Sequence, residues 1–178
     1  MRLVAGRAEV DDVDAFVGRL GEIGADHGVT VQAFDARYVV SRTHLERAVE
    51  LADRAIDRGE NVARDRGVEI LLYVAGRRQI DQALTLGVSA GEGPVVVLVD
   101  AGGGNDATTN GSDVDDDERE RAATAAIEEL LVPRETLGAY DEALVREYFD
   151  VGDPELSVVQ GDLADVVLER VALLDVEK

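Results

Sequence analysis

Residues Glu69 to Val88 read EILLYVAGRRQIDQALTLGV. In the block Val68–Ala75, Ile70, Leu71, Leu72, Tyr73 and Val74 run almost without a break, which is the content of a strand buried on both faces. Gly76 ends the block and two arginines follow. Arg77 to Leu86 then has the spacing of a short helix that points Ile80, Ala83 and Leu84 inward, with Gly87 at its C-terminal cap. So read, the stretch is a strand emptying into a helix start, and the arginines stand where acids are ordinarily preferred. Backbone N–H donors at such a turn favour an anion. Two readings stay open on residue chemistry alone. Either a phosphate-bearing ligand sits at the turn, or Arg77 and Arg78 pair with Glu69, Asp81 or other surface acids.

Upstream, Arg2 to Ala8 reads as a first strand. Val13 to Ala25 reads as a helix capped by Asp11 or Asp12, with Val13, Phe16, Val17, Leu20 and Ile23 at helical spacing. Val29 to Phe34 alternates as a second strand. Thr43 with Glu46 forms a capping box for a helix whose stripe is Leu45, Ala48, Val49, Ala52, Ala55 and Ile56; it ends at Gly59 or runs on toward Arg66. Downstream, Pro94 to Asp100 is a fully buried strand. Residues 101–117 are polar, glycine-rich and acidic, the composition of a flexible loop. The remainder reads as helices over Asp117–Leu131, Leu137–Phe149 and Leu163–Leu174, with a turn at Gly152, Asp153 and Pro154. The expectation is one α+β domain over residues 1–178. It has a single central mixed sheet of about four to five strands flanked by helices, and a helical C-terminal part.

Composition narrows the task. The 178 residues contain no cysteine, which removes disulfides, thiolate metal sites and cysteine nucleophiles. No run is long enough and apolar enough to span a membrane, and MRLVAGRAEVDDVDAF has no apolar core behind a basic start, so a cytoplasmic protein is expected. Formal charge is −20, with Lys178 the single lysine, a balance typical of proteins from salt-saturated cytoplasm. Against that background the span from Arg37 to Arg78 stands out, with nine arginines to seven acids. Arg47, Arg54 and Arg58 within it alternate with acids along one helix and read as surface pairs.

Catalytic patterns are weak. The two histidines, His27 and His44, are far apart and lack the spacing of a zinc site. No P-loop occurs, and Gly102-x-Gly104-x-x-Ala107 lacks the following helix of a dinucleotide fold. Asp113, Asp115 and Asp117 alternate like a calcium loop, but Glu118 stands at the turn glycine and Thr124 at the bidentate acid. No metal or cofactor is expected.

The order QAFDARYVVSRTHLERAVELADRA, then EILLYVAGRRQIDQALTLGV, then VVVLVD resembles the small kinase-binding subunit of the KEOPS (EKC) complex, the family of the PRPK-binding protein TPRKB. The match covers Val31 to Asp100, with LADVVLERVALLDV similar to the family's closing helix. Its most specific part is carried by Glu69, Leu71, Leu72, Tyr73, Gly76, Arg78, Gln79, Ile80, Ala83, Leu84 and Gly87, together with His44, Leu45 and Ala48. With the acidic composition, this is the pattern of a halophilic archaeal member.

The resemblance implies a non-catalytic subunit of the machinery that makes threonylcarbamoyladenosine (t6A) in tRNA. Its implied partners are the Bud-type kinase/ATPase (the PRPK homologue), the tRNA 3′ CCA tail and, indirectly, the rest of the complex. By position the implied tail-binding residues are Gly76, Arg77, Arg78, Gln79 and Ile80, completed by Arg42 and His44. Arginine would hold phosphate or stack on bases, Gln79 would bond a base edge, and Ile80 is either an apolar shelf or core. Because phosphate contacts weaken as salt rises, a halophile's version should lean on stacking and apolar contact. Surplus apolar residues on the last helices, Leu144, Tyr148, Leu168, Val171 and Leu174, are the candidate kinase face. Two other readings compete: a phospholigand-binding enzyme using the Gly76 turn or the Gly102 loop, and a structural adaptor without nucleic-acid contact.

Overall fold

The apolar block that reads as a buried strand is a helix. In a computed structural model, which describes residues 1–102, 113–159 and 161–176, Arg66–Ala75 forms an α-helix started by Asp65. The Asp65 carboxylate accepts the Val68 N–H at 3.0 Å. Residues Glu69 to Ala75 are all buried. A helix enclosed on every side has no polar stripe, so its sequence carries no period to distinguish it from a buried strand.

Among the described residues, four strands make one open sheet in the order β2-β3-β1-β4: β1 (Arg2–Val10), β2 (Thr30–Asp35), β3 (Gly91–Asp100) and β4 (Val132–Pro133). All pairings are antiparallel, so the sheet is not the mixed one expected. β3 lies between β1 and β2, with Val4 opposite Val97 and Phe34 opposite Val96. Side chains alternate between the faces of a strand. Val96 and Leu98 therefore join the core of α2 (Arg42–Asp57), α3 (Arg66–Ala75) and α8 (Leu163–Val176). Val95, Val97 and Val99 join a second core under α1 (Val13–His27) and α5 (Asp113–Glu128). Packing on both faces explains why PVVVLVD is continuously apolar. The α+β class is as expected, and no helix among the described residues is long and apolar enough to cross a membrane.

Other boundaries moved for local reasons. α2 is capped by Ser41, whose hydroxyl accepts the His44 N–H at 3.1 Å, so Thr43 lies inside the helix and the expected capping box does not form. α2 ends at Asp57 and does not run on to Arg66. The expected helix over Arg77–Leu86 is a single turn, α4 (Ile80–Ala83), followed by a 3-10 turn Leu84–Leu86. Ala83 and Leu86 face inward, while Ile80 and Leu84 are exposed. Gly87 has φ −78°, so it is not a left-handed cap. The expected flexible loop at 101–117 overlaps α5, which starts at Asp113, and residues 103–112 lie outside the described ones. The aspartates read as a calcium pattern are thus helical. The long helix expected from Leu137 is only α6 (Glu142–Tyr148), and the turn at Gly152 starts α7 (Asp153–Val158).

Gly18 and Gly21 lie within α1, where a Cβ would meet nothing within 4 Å. Glycine in a helix interior costs about 1 kcal/mol relative to alanine. Gly18→Ala and Gly21→Ala should therefore each raise unfolding free energy by roughly that amount in a urea titration. A loss of stability in either variant would refute the open-face placement.

Candidate functional site

The bend after α3 is built around that helix's last turn, whose carbonyl groups have no water to bind. Gly76 takes the left-handed conformation, φ +62°, which costs glycine little. Its N–H donates to the Tyr73 carbonyl at 3.1 Å, and the Arg77 N–H to the Leu72 carbonyl at 3.0 Å. This pair of bonds is a Schellman closure. His44 serves the next carbonyl: its Nε2 lies 2.8 Å from the Val74 oxygen, while its Nδ1 accepts the Val40 N–H at 3.4 Å. A carbonyl can only accept, so Nε2 carries the proton and the ring is neutral. Arg77 and Arg78 thus follow a helix C-terminus, where positive charge is favourable, and the apparent conflict with a helix start disappears.

The two arginines then diverge. Arg77 is half-buried, and its guanidinium donates to the backbone carbonyl of Tyr148 in α6. Its carbon lies 5.0 Å from the Tyr148 ring centroid, within cation–π range. The Tyr148 hydroxyl donates back to the Gln82 carbonyl at 2.9 Å. Burial pushes the Tyr148 phenol above its ordinary value, with Arg77 opposing, so the hydroxyl stays a donor at neutral pH. Tyr148 also packs edge-on against Tyr38 and Phe149, with ring centroids 5.8 and 5.1 Å away. Arg78 is exposed, with one long bond of 3.4 Å to the Leu174 carbonyl of α8. Among the described residues, neither guanidinium pairs with a carboxylate, so the surface-acid reading of the pair does not hold.

The remaining predicted residues separate. Gly76 shapes the bend, and Gln79 and Ile80 are exposed beside Arg78, so Ile80 belongs to the surface and not to the core. Leu84, one turn beyond Ile80 on the same side of the chain, is 58% exposed, against the inward position that helical spacing predicts. His44 is fully buried and structural, so it does not complete a binding face. Arg42 is exposed, but its bonds go to Glu46 at 2.8 Å and the Met1 carbonyl at 3.3 Å. A void of about 20 Å³ lies at the bend beside Tyr73 and Leu174, too small for a nucleotide, so the exposed side chains of the bend are the candidate contacts. Of the candidate kinase residues, Val171 and Leu174 are buried in the core beside α2 and α3, which removes them as an outer surface. Leu144, Tyr148 and Leu168 are half-buried, and Leu173 and Val176 are the exposed apolar residues of α8.

Two residues, Glu69 and Tyr148, have structural roles beyond those expected from the sequence. Glu69 is buried, and its carboxylate accepts the Val62 and Ala63 N–H groups at 3.1 and 2.8 Å, fixing the loop before α3. A lone acid inside an apolar run was the available signal, since a buried carboxylate needs donors. Tyr148 was noticed only as surplus apolar surface; nothing local announces a bond to residues sixty-six positions away. A larger open cleft of about 250 Å³ lies elsewhere, between the start of β3 and Arg37. Its arginines are already matched, Arg37 by Asp35 at 2.7 Å and Arg7 by Glu92 at 3.3 Å. Among the described residues, no group of three or more histidine or acidic side chains is arranged to hold a metal ion.

A protein-family model described as kinase binding protein CGI-121 matches residues 19–175. No curated protein matches the chain.

Burial holds the His44 pKa down, from 6.5 to about 4, against the opposing bond to Val74. Its contribution to stability is complete above pH 6.5. As pH falls from there toward 4, the unfolded chain takes up a proton that folded His44 refuses, and stability is lost at roughly 1.4 kcal/mol per pH unit. Unfolding free energies of the native chain and of His44→Gln should therefore converge by roughly 2–3 kcal/mol between about pH 7.5 and 4.5. Parallel curves would show that His44 is not buried in its neutral form.

Proposed function

Because the chain belongs to the CGI-121 family of kinase-binding proteins, we propose that it is a non-catalytic KEOPS subunit that holds a Bud-type kinase/ATPase and recruits tRNA by its 3′ CCA tail. In this role it supports t6A formation in the cytoplasm without performing chemistry. The family is that of the kinase-binding subunits of KEOPS. The observation that favours the RNA half is the exposed face of the bend, where Arg78, Gln79, Ile80 and Leu84 stand together. A single-stranded end presents bases and phosphates without a groove, and such a face answers both. Arg78 supplies a guanidinium for phosphate or stacking, Gln79 an amide for a base edge, and the two aliphatic side chains a shelf. The apolar share suits binding at high salt, which weakens charge contacts.

For the kinase, the half-buried Leu144, Tyr148 and Leu168 are retained as contacts, and Leu173 and Val176 take the place of Val171 and Leu174. An exposed apolar strip at the end of α8 is suited to burial against a protein partner. The competing reading, an enzyme binding a phospholigand at the Gly76 turn, rested on helix-start N–H donors. The turn instead follows a C-terminus, and α4 is four residues long.

Arg78→Glu and Ile80→Glu should each weaken binding of a CCA-ended tRNA by about tenfold or more, and neither should change the weaker binding of the same tRNA trimmed of CCA. Equal affinity of the native protein for both tRNAs would leave an adaptor without a tail site. Leu173→Asp should abolish co-purification with the kinase while leaving tRNA binding intact.

A further inference from the structure

A bend carrying a four-residue helix cannot hold its own shape. The first helical turn fixes several dihedral angles for a single hydrogen bond, and α4 has two bonds of this kind, from the Ala83 N–H to the Gln79 carbonyl at 3.1 Å and from the Leu84 N–H to the Ile80 carbonyl. The order of this segment must come from outside it. Burial of Ala83 and Leu86 supplies part of it, and two connections to a single residue, Tyr148, supply a further part. Arg77 donates to the Tyr148 carbonyl, and the Tyr148 hydroxyl donates to the Gln82 carbonyl. The segment 78–81 is thereby closed at both ends onto the C-terminus of α6.

From this geometry we infer that Arg77 is a positioning residue for the docking face of the bend and not one of its contacts: with Tyr148 it forms a reciprocal lock that sets where Arg78, Gln79, Ile80 and Leu84 point. The inference rests on the RNA reading above for its functional meaning, but the lock itself does not. The neighbouring arginines differ in kind. Arg77 is half-buried, with one guanidinium nitrogen on a carbonyl and its central carbon 5.0 Å from an aromatic ring centroid, so its charge is directed toward α6. Arg78 is exposed and held by one long bond. Arg77 also neutralises the last carbonyl of α6, where a cation is favoured by the helix dipole. The two halves of the lock can be varied one at a time, because Arg77 donates to the main-chain carbonyl of Tyr148 while the Tyr148 hydroxyl donates to Gln82.

The test uses full-length protein and the variants Arg77→Gln, Tyr148→Phe, Arg78→Gln and the Arg77→Gln/Tyr148→Phe double variant. Amide hydrogen exchange is followed in the free protein, and affinity for a CCA-ended tRNA is measured across a salt series. Arg77→Gln and Tyr148→Phe should each speed exchange across residues 78–86 while leaving α1 and the sheet unchanged. Each should weaken tRNA binding by roughly threefold to tenfold, with the double variant weaker by less than the product, because both break one lock. The slope of log affinity against log salt should be unaltered by Arg77→Gln and shallower, by roughly 0.7, for Arg78→Gln, which loses a single-strand phosphate contact. An equal change of slope in both arginine variants, with exchange at the bend unmoved, would make Arg77 a contact and overturn the proposal. Faster exchange throughout the protein would also overturn it, by making Arg77 a general stabiliser. If the native protein binds no tRNA, the RNA reading fails, and exchange alone decides: unchanged protection of 78–86 in both lock variants refutes the lock, and local loss upholds it.

Discussion

Enclosing α3 on every side leaves the carbonyl groups of its last turn without solvent, and the surrounding structure is arranged to supply their donors. Gly76 turns left-handed so that its own N–H and that of Arg77 reach Tyr73 and Leu72. His44, brought in from the first turn of α2, takes Val74. The same problem recurs at α6, and arginine solves it there: Arg77 serves Tyr148, and Arg170 of α8 serves Phe149 and Asp150 at 3.3 and 3.4 Å. Buried carbonyl groups left unpaired would each cost on the order of 1–3 kcal/mol, so these bonds decide how α2, α3, α6 and α8 can meet.

Arginine also serves carboxylates in the arginine-rich span of this acidic chain, with Arg37 on Asp35, Arg42 on Glu46 and Arg47 and Arg54 on Glu50. Arg66 is the fullest case, bonding Asp53 through two nitrogens at 2.7 and 2.9 Å, Thr30 at 3.0 Å and Asp100 at 3.3 Å. One side chain ties α2, β2, the end of β3 and the start of α3 together. A guanidinium offers five donors in a fixed plane, which lysine cannot match. Several arginines are thus used for construction, and at the bend the one left lightly held is Arg78. This is consistent with an adaptor, whose contacts are faces held in register and not a pocket that excludes water.

Rigid presentation matters more to such a face than depth. A four-residue helix between a left-handed glycine and a 3-10 turn has little order of its own, so its direction is borrowed from α6 through Tyr148. The apolar residues it shows, Ile80 and Leu84, are exposed because the chain reverses at Gly76 and brings Ala83 and Leu86 inward. The outer side of α8, with Leu173 and Val176, is likewise what remains after Val171 and Leu174 have filled the core.

Local patterning by itself determined the half-exposed elements of this protein. The stripe of α2, the cap of α1 by Asp12 and the alternation of β1 are legible because one side is more exposed than the other, which imprints a period on the residues. The motif from Glu69 to Gly87 also located the bend and pointed to the family. Tertiary structure decided what total burial hides. Val68–Ala75 carries no period, so only packing among α2, α8 and β2 makes it a helix, and that choice turned a supposed helix start at Arg77 into a helix end. It also sorted the site. His44 went to the core because a carbonyl thirty residues away needed a donor, and Arg77 was drawn to Tyr148 across seventy-one positions. Hydrogen bonds over such separations depend on where elements dock, and docking is a property of the folded whole that no short run of residues encodes.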